Sequence, residues 1–114
     1  MTENNEHYSY LIQLLDDRER TKYTKVGYTN NLNRRFDELE YQYDANIKIL
    51  GFWCFDEKEI ALNMENTMRL HLKRKKGSHY IRQDRFQRVK ITTNDYDYFN
   101  REAIFLANHY KKKI

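Results

Sequence analysis

Apolar and polar side chains begin to alternate at Tyr8. Tyr8, Tyr10, Ile12 and Leu14 interleave with Ser9, Leu11, Gln13 and Leu15, and both sets hold apolar residues. A period of two with apolar side chains on both faces predicts a first strand over Tyr8 to Leu15, central in its sheet. Asp16 to Lys22 is charged and of hairpin length. Tyr23, Thr24, Val26 and Tyr28 then suit a pleated backbone, so Tyr23 to Tyr28 is predicted to pair antiparallel with the first strand. Gly27 is expected to supply a backbone conformation other residues resist. Beyond it the spacing turns helical: Asn30 and Asn31 are good N-caps, Leu32, Phe36 and Leu39 share a face, and Arg35 lies on the same side. The predicted helix runs from Leu32 to Tyr43.

Asn46 to Phe55 is the most apolar stretch, with Ile47, Ile49, Gly51, Trp53 and Phe55 alternating with Leu50, Phe52 and Cys54. It predicts a third strand, central or well covered. Asp56, with Glu59 three residues on, is a candidate cap for a helix from Glu57 to about Lys75, whose stripe is Ile60, Met64, Met68 and Leu72 with Ala61 and Leu70 flanking. Glu65 falls beside that stripe, with Arg69 as its one basic neighbour a turn away. The cations from Lys73 to Lys76 and then Gly77 suit a helix C-terminus and a left-handed cap. Ser78 to Arg82 reads as a short extended piece, and Asp84 to Ile91 fits either strand or loop. Asn94 or Asp95 can cap a last helix over 94–114, whose usable face is Tyr98, Ile104 or Phe105, and Ala107 or Asn108. The order β-β-α-β-α predicts an α+β domain: a three-stranded antiparallel sheet flanked by helices, with an additional C-terminal helix.

The length of 114 residues allows one modest core and not two, so 1–114 is expected to form a single domain, with a polar, flexible stretch over 1–7. Charged residues make up 33%, but 15% aromatic residues, ten of them tyrosines, argue for a folded chain with a ring-rich core. The net charge of +4 permits nucleic acid as a partner without requiring it. Cys54 is the single cysteine, which excludes an intrachain disulfide and a Cys-based zinc site, and its apolar setting predicts a buried, inert thiol. The spacing of His71 and His79 fits no zinc motif, and both are expected at the surface or a partner contact. No apolar run approaches the ~20 residues that span a bilayer, so a cytoplasmic protein with no membrane partner is expected.

The segment Lys25-Val26-Gly27-Tyr28-Thr29-Asn30-Asn31-Leu32-Asn33-Arg34-Arg35, between a strand holding Tyr10 and a helix holding Glu65, resembles the GIY-YIG nuclease superfamily. The likeness is to its small phage and bacterial branch, whose second motif often reads Lys-Val-Gly, and it covers Tyr8 to about Ile81. The resemblance places the family's first-signature tyrosine on Tyr10, its second on Lys25, its arginine on Arg35 rather than Arg34, and its metal-binding glutamate on Glu65. The family's last polar position, usually Asn, has no match beyond His79 or Tyr80.

Those residue types fit phosphodiester hydrolysis, which needs a nucleophilic water and neutralisation of charge growing on the phosphoryl oxygens. As the resemblance implies, Glu65 would hold one Mg²⁺ or Mn²⁺ that keeps most of its waters. Arg35 would offer a fork to the non-bridging oxygens, or else pair with Glu38 along its helix. Tyr10 would take the water's proton if Lys25 and Arg35 lower its pKa, and Lys25 would supply charge. Lys73, Arg74, Lys75, Lys76 and Arg82, with Arg85, Arg88 and the run Lys111 to Lys113, are candidate phosphate contacts. The function so implied is a metal-dependent endonuclease acting on DNA in preference to RNA, with a homodimer or protein partner supplying any sequence recognition. The alternative is a binding or inhibitor module that kept the fold without catalysis, for instance a phage-encoded protein that blocks a host enzyme.

Overall fold

The structure, a computed structural model, describes the backbone of residues 6–111 and the side chains of residues 6–109. The chain runs β1 (His7–Leu15), β2 (Thr21–Thr29), α1 (Leu32–Tyr43), β3 (Asn46–Phe55), α2 (Lys58–Arg74), β4 (His79–Tyr80), β5 (Arg85–Gln87) and α3 (Thr93–Lys111). The class is α+β, as the sequence predicts. Among the described residues the sheet has five strands rather than three, all antiparallel, in the order β3-β1-β2-β5-β4. The extra pair closes the outer edge of β2, where Thr24 and Lys25 pair with Phe86 and Arg85. A single apolar side chain between Arg85 and Gln87 leaves no alternation to reveal β5. Phe86 is nonetheless fully buried.

The period of two in β1 divides the core between two faces. Tyr10, Ile12 and Leu14 pack under α1 with Phe36 and Leu39. Leu11 joins Val26 and the α2 stripe Ile60, Met64, Met68 and Leu72 on the other face, where Phe99 and Ala103 of α3 complete the layer. Ser9 Oγ donates to the Ala61 carbonyl at 2.6 Å and ties β1 to α2. The first strand is central, as its pattern requires. Asn31 caps α1 by accepting from the Arg34 N–H at 3.1 Å.

Four expectations are corrected. The third strand is an edge strand, not a central one, because β1 takes its inner side and among the described residues no strand takes its outer side. Its apolar character comes from residues left half-exposed, among them Ile49 and Phe52. Cys54 is consequently exposed rather than buried. At the start of α2 the cap position is Glu57, with no side-chain hydrogen bond, instead of Asp56. The buried face of α3 is Asp95, Phe99 and Ala103, with Tyr98 and Ala107 packed beside it as expected, whereas Ile104 and Phe105 point outward at 63% and 62% exposure.

α3 is locked to α2 by a polar clasp. Thr92 N–H and Oγ donate to Asp95 Oδ2 at 2.8 and 3.1 Å, while Asp95 N–H donates back to Thr92 Oγ at 3.3 Å, a reciprocal capping box. The same carboxylate pairs with His71 at 2.7 Å and with the ammonium of Lys75. The His71 ring stacks on Tyr98 with centroids 4.6 Å apart, so it is half-buried in the helix interface rather than a surface residue. Among the described residues no helix is long and apolar enough to cross a membrane.

Candidate active site

Tyr10 and Gly27 are directly opposed on β1 and β2. The phenol lies across the glycine so closely that a Cβ there would sit 2.2 Å from the hydroxyl oxygen. Gly27 therefore serves by leaving space, and the unusual backbone expected of it is not found, since Gly77 is the positive-φ glycine among the described residues. In that space the Tyr10 hydroxyl accepts from Arg35 Nε at 3.4 Å, and the Arg35 fork also reaches Glu38 at 3.3 Å. Tyr10 is 1% exposed. Burial raises its pKa and outweighs the lowering effect of Arg35, so the phenol keeps its proton, against the expectation of an activated phenolate.

Lys25, two residues before the glycine on the same face of β2, is 5% exposed and donates to the Gln83 carbonyl at 2.7 Å. Loss of hydration brings its pKa down to about 8, with Asp84 and Glu65 opposing the fall and Arg35 and Arg85 assisting it. Tyr10 and Lys25 each feel the charges of both Arg35 and Glu65, so the four residues named from the sequence share one neighbourhood.

A fifth group joins them. The turn between β4 and β5 carries Gln83 and Asp84 at φ of 55° and 59°, successive left-handed positions for residues other than glycine. The conformation is fixed on both sides: Val26 N–H donates to the Asp84 carbonyl at 3.2 Å, and Asp84 N–H donates to the Tyr80 hydroxyl at 3.4 Å. The turn presents the Gln83 carbonyl to Lys25 and the Asp84 carboxylate to Arg69, 3.2 Å away. The same Arg69 nitrogen lies 3.3 Å from Glu65. Burial first, and then the neighbouring Asp84 carboxylate, raise the pKa of Glu65.

Comparison of the chain with protein-family models, curated proteins and solved structures finds no match. The site is therefore read from its own chemistry. Among the described residues no group of three or more His, Cys, Asp or Glu side chains is placed to hold a metal ion. Glu65 and Asp84 nonetheless offer two hard oxygen donors converging on one positive group, a donor set that suits a divalent ion retaining most of its waters.

The candidate phosphate contacts divide. Lys73, Arg74, Lys76 and Arg82 are exposed around the end of α2 and the β4–β5 turn, and Lys73 Nζ lies 4.2 Å from the centre of the Tyr80 ring. Lys75 instead donates to the Lys90 carbonyl and Asp95 within the clasp. Arg85 is 8% exposed, its guanidinium held 4.7 Å and 5.0 Å from the rings of Tyr23 and Tyr43. Its charge tunes Lys25 and does not face solvent. Lys112 and Lys113, and the side chain of Lys111, lie outside the described residues. Asp84 was missed in the sequence because its segment carries no periodic pattern, and the sole signal was an Asp in a polar run, a type that tolerates left-handed turns.

Proposed function

We propose that this protein is a metal-dependent endonuclease that hydrolyses phosphodiester bonds in DNA, in a cytoplasmic setting. The observation that supports this reading is the convergence of Tyr10, Lys25, Arg35 and Glu65, from β1, β2, α1 and α2, on one charged site beside the exposed cations of α2 and the β4–β5 turn. Arg35 has its fork oriented by the Tyr10 hydroxyl and meets the non-bridging oxygens of the phosphate. Tyr10, kept neutral by burial, positions Arg35 rather than removing a proton. Lys25, still protonated below about pH 8, adds fixed positive charge where negative charge grows. Glu65 and Asp84 would hold the Mg²⁺ or Mn²⁺, which when bound supplies charge neutralisation at the phosphate and an acidified water.

Nicking of supercoiled plasmid in Mg²⁺ or Mn²⁺ tests the reading. Wild type is expected to nick, and Arg35→Ala to lose about 10²–10³-fold in rate, the range for removing one donor to a developing oxyanion. Glu65→Ala should lose cleavage at every metal concentration. A folded wild type that nicks neither DNA nor RNA across metals and salts would transfer the assignment to the second reading.

That second reading, a binding or inhibitor module, is favoured by β3. Among the described residues no strand pairs with its outer edge, and Ile49 and Phe52 are 51% and 50% exposed. Leu50 is skipped in the pairing with β1, where Leu11 faces Gly51 and Ile12 faces Ile49. Such a bulge blunts the edge against indiscriminate pairing while leaving Gly51 to Phe55 regular. A protein partner or second copy could add a strand there.

A further inference from the structure

Resting on the metal-dependent reading above, we propose that Asp84 is a second anchor for the divalent ion and that Arg69 is a built-in competitor for the same place. Glu65 comes from α2 and Asp84 from the β4–β5 turn, yet both carboxylates contact a single nitrogen, Nη1 of Arg69, at 3.3 and 3.2 Å. A point within reach of one oxygen from each carboxylate is where a small divalent ion bridges them. The guanidinium fills that point, and its second nitrogen donates to Asn66 Oδ1 on the same helix, which fixes the blocking position.

Removal of Arg69 would not scatter the two carboxylates. Glu65 sits on α2 beside the fully buried Met64, and Asp84 is fixed by its own backbone, through Val26 N–H on one side and the Tyr80 hydroxyl on the other. The anchors are preorganised without the cation that occupies them. A small hard ion such as Mg²⁺ takes oxygen ligands at about 2.0–2.1 Å, much closer than the guanidinium nitrogen approaches these carboxylates, so ion and guanidinium cannot share the place. Arg69 must swing away on its long stem as the ion binds, and the affinity observed for the ion is the intrinsic affinity reduced by the fraction of molecules in which Arg69 is seated. The arrangement keeps the two acidic groups neutralised in the metal-free protein and sets a threshold concentration for loading.

The test is Mn²⁺ binding to the whole chain without nucleic acid, read by calorimetry and by the spin-resonance signal of free Mn²⁺, with folding of each variant verified by circular dichroism. Arg69→Gln, close in shape but uncharged, is expected to tighten Mn²⁺ binding by about tenfold, and Arg69→Lys to stay near wild type because the competing charge is retained. Asn66→Ala, at an exposed position, loosens the latch without removing it and is expected to tighten binding by roughly threefold, so the idea is testable even where Arg69→Gln fails to fold. Asp84→Asn and Glu65→Gln should each weaken binding at least tenfold. If Glu65→Gln abolishes binding while folded Arg69→Gln and Asn66→Ala bind as wild type does, Arg69 is no competitor. Unchanged binding by Asp84→Asn removes the second anchor. Absence of Mn²⁺ binding by wild type and both loosened variants would instead overturn the metal-dependent reading and this inference with it.

Discussion

Gly27 and Tyr10 act as one unit, because the absence of a side chain at one position is what lets the ring lie flat at the other. Even a methyl group at Gly27 would meet the Tyr10 ring at 2.2 to 2.9 Å, inside any real contact distance, and the ring is wedged edge-on against Phe36 with centroids 5.4 Å apart. Gly27→Ala is therefore expected to cost about 1–3 kcal/mol by overpacking, read as a lower urea midpoint with unchanged slope. It should also slow nicking at least tenfold, since the displaced hydroxyl no longer orients Arg35; wild-type nicking in the alanine variant would show that the Tyr10–Arg35 contact does not matter. The four residues named from the sequence were reached through the resemblance carried by the segment from Lys25 to Arg35 and by the strand and helix on either side of it, all of them regular elements. Asp84 could not be, because its place depends on two left-handed residues in a turn and on a hydrogen bond from Val26, far away in the chain. The acidity of Tyr10 was equally hidden: proximity to Arg35 can be guessed from a motif, whereas complete burial depends on how α1 closes over β1.

At the level of elements, the attachment of α3 to α2 hangs on one carboxylate. Desolvation alone would raise the pKa of Asp95, but donors from Lys75, His71 and Thr92 outweigh it and hold the group at about 2. A carboxyl depressed in the folded state relative to its unfolded value near 3.9 contributes stability that is fully present above that value and is lost as pH falls toward about 2. Thermal unfolding of wild type should therefore weaken between pH 4 and pH 2 more steeply than that of Asp95→Asn, which keeps the shape without the charge. The variant should be less stable at pH 7 by roughly 1–3 kcal/mol, from the weakened cap and the uncompensated Lys75 ammonium. Parallel acid profiles for the two proteins would show that the clasp is not an ionic one. The main helices and strands were legible because their periods are long and clean, with α1 bounded by Leu32 and Tyr43 as its pattern requires. β3 was misplaced for the opposite reason. Its apolar run reads as buried, and the sequence holds no sign that among the described residues the strand pairs on one side alone. The face of α3 was shifted because Asp95, a charged residue, belongs to the core side through partners supplied by α2.

Over the whole molecule, the mild net charge of +4 conceals an uneven distribution. The turn after β1 mixes Asp16, Asp17 and Glu19 with Arg18 and Arg20, whereas Lys73, Arg74, Lys76 and Arg82 stand exposed around the end of α2 and the β4–β5 turn that carries Asp84. On the proposed function a duplex would lie along that basic side, where its phosphates are attracted. Duplex binding should then weaken with salt, and replacing Lys73, Arg74 or Lys76 by Gln should each reduce the slope of log affinity against log salt by about 0.9, the release expected per neutralised phosphate contact. Lys75→Gln is the internal control. Its ammonium is engaged with Asp95 and the Lys90 carbonyl, so its loss should lower thermal stability and leave the salt slope as in wild type. Fluorescence anisotropy with a short duplex between 50 and 200 mM NaCl reads all four variants. A slope that falls equally for Lys75→Gln would mean the clasp opens on binding DNA, and a slope unchanged in every variant would place the nucleic-acid contact on another side of the molecule.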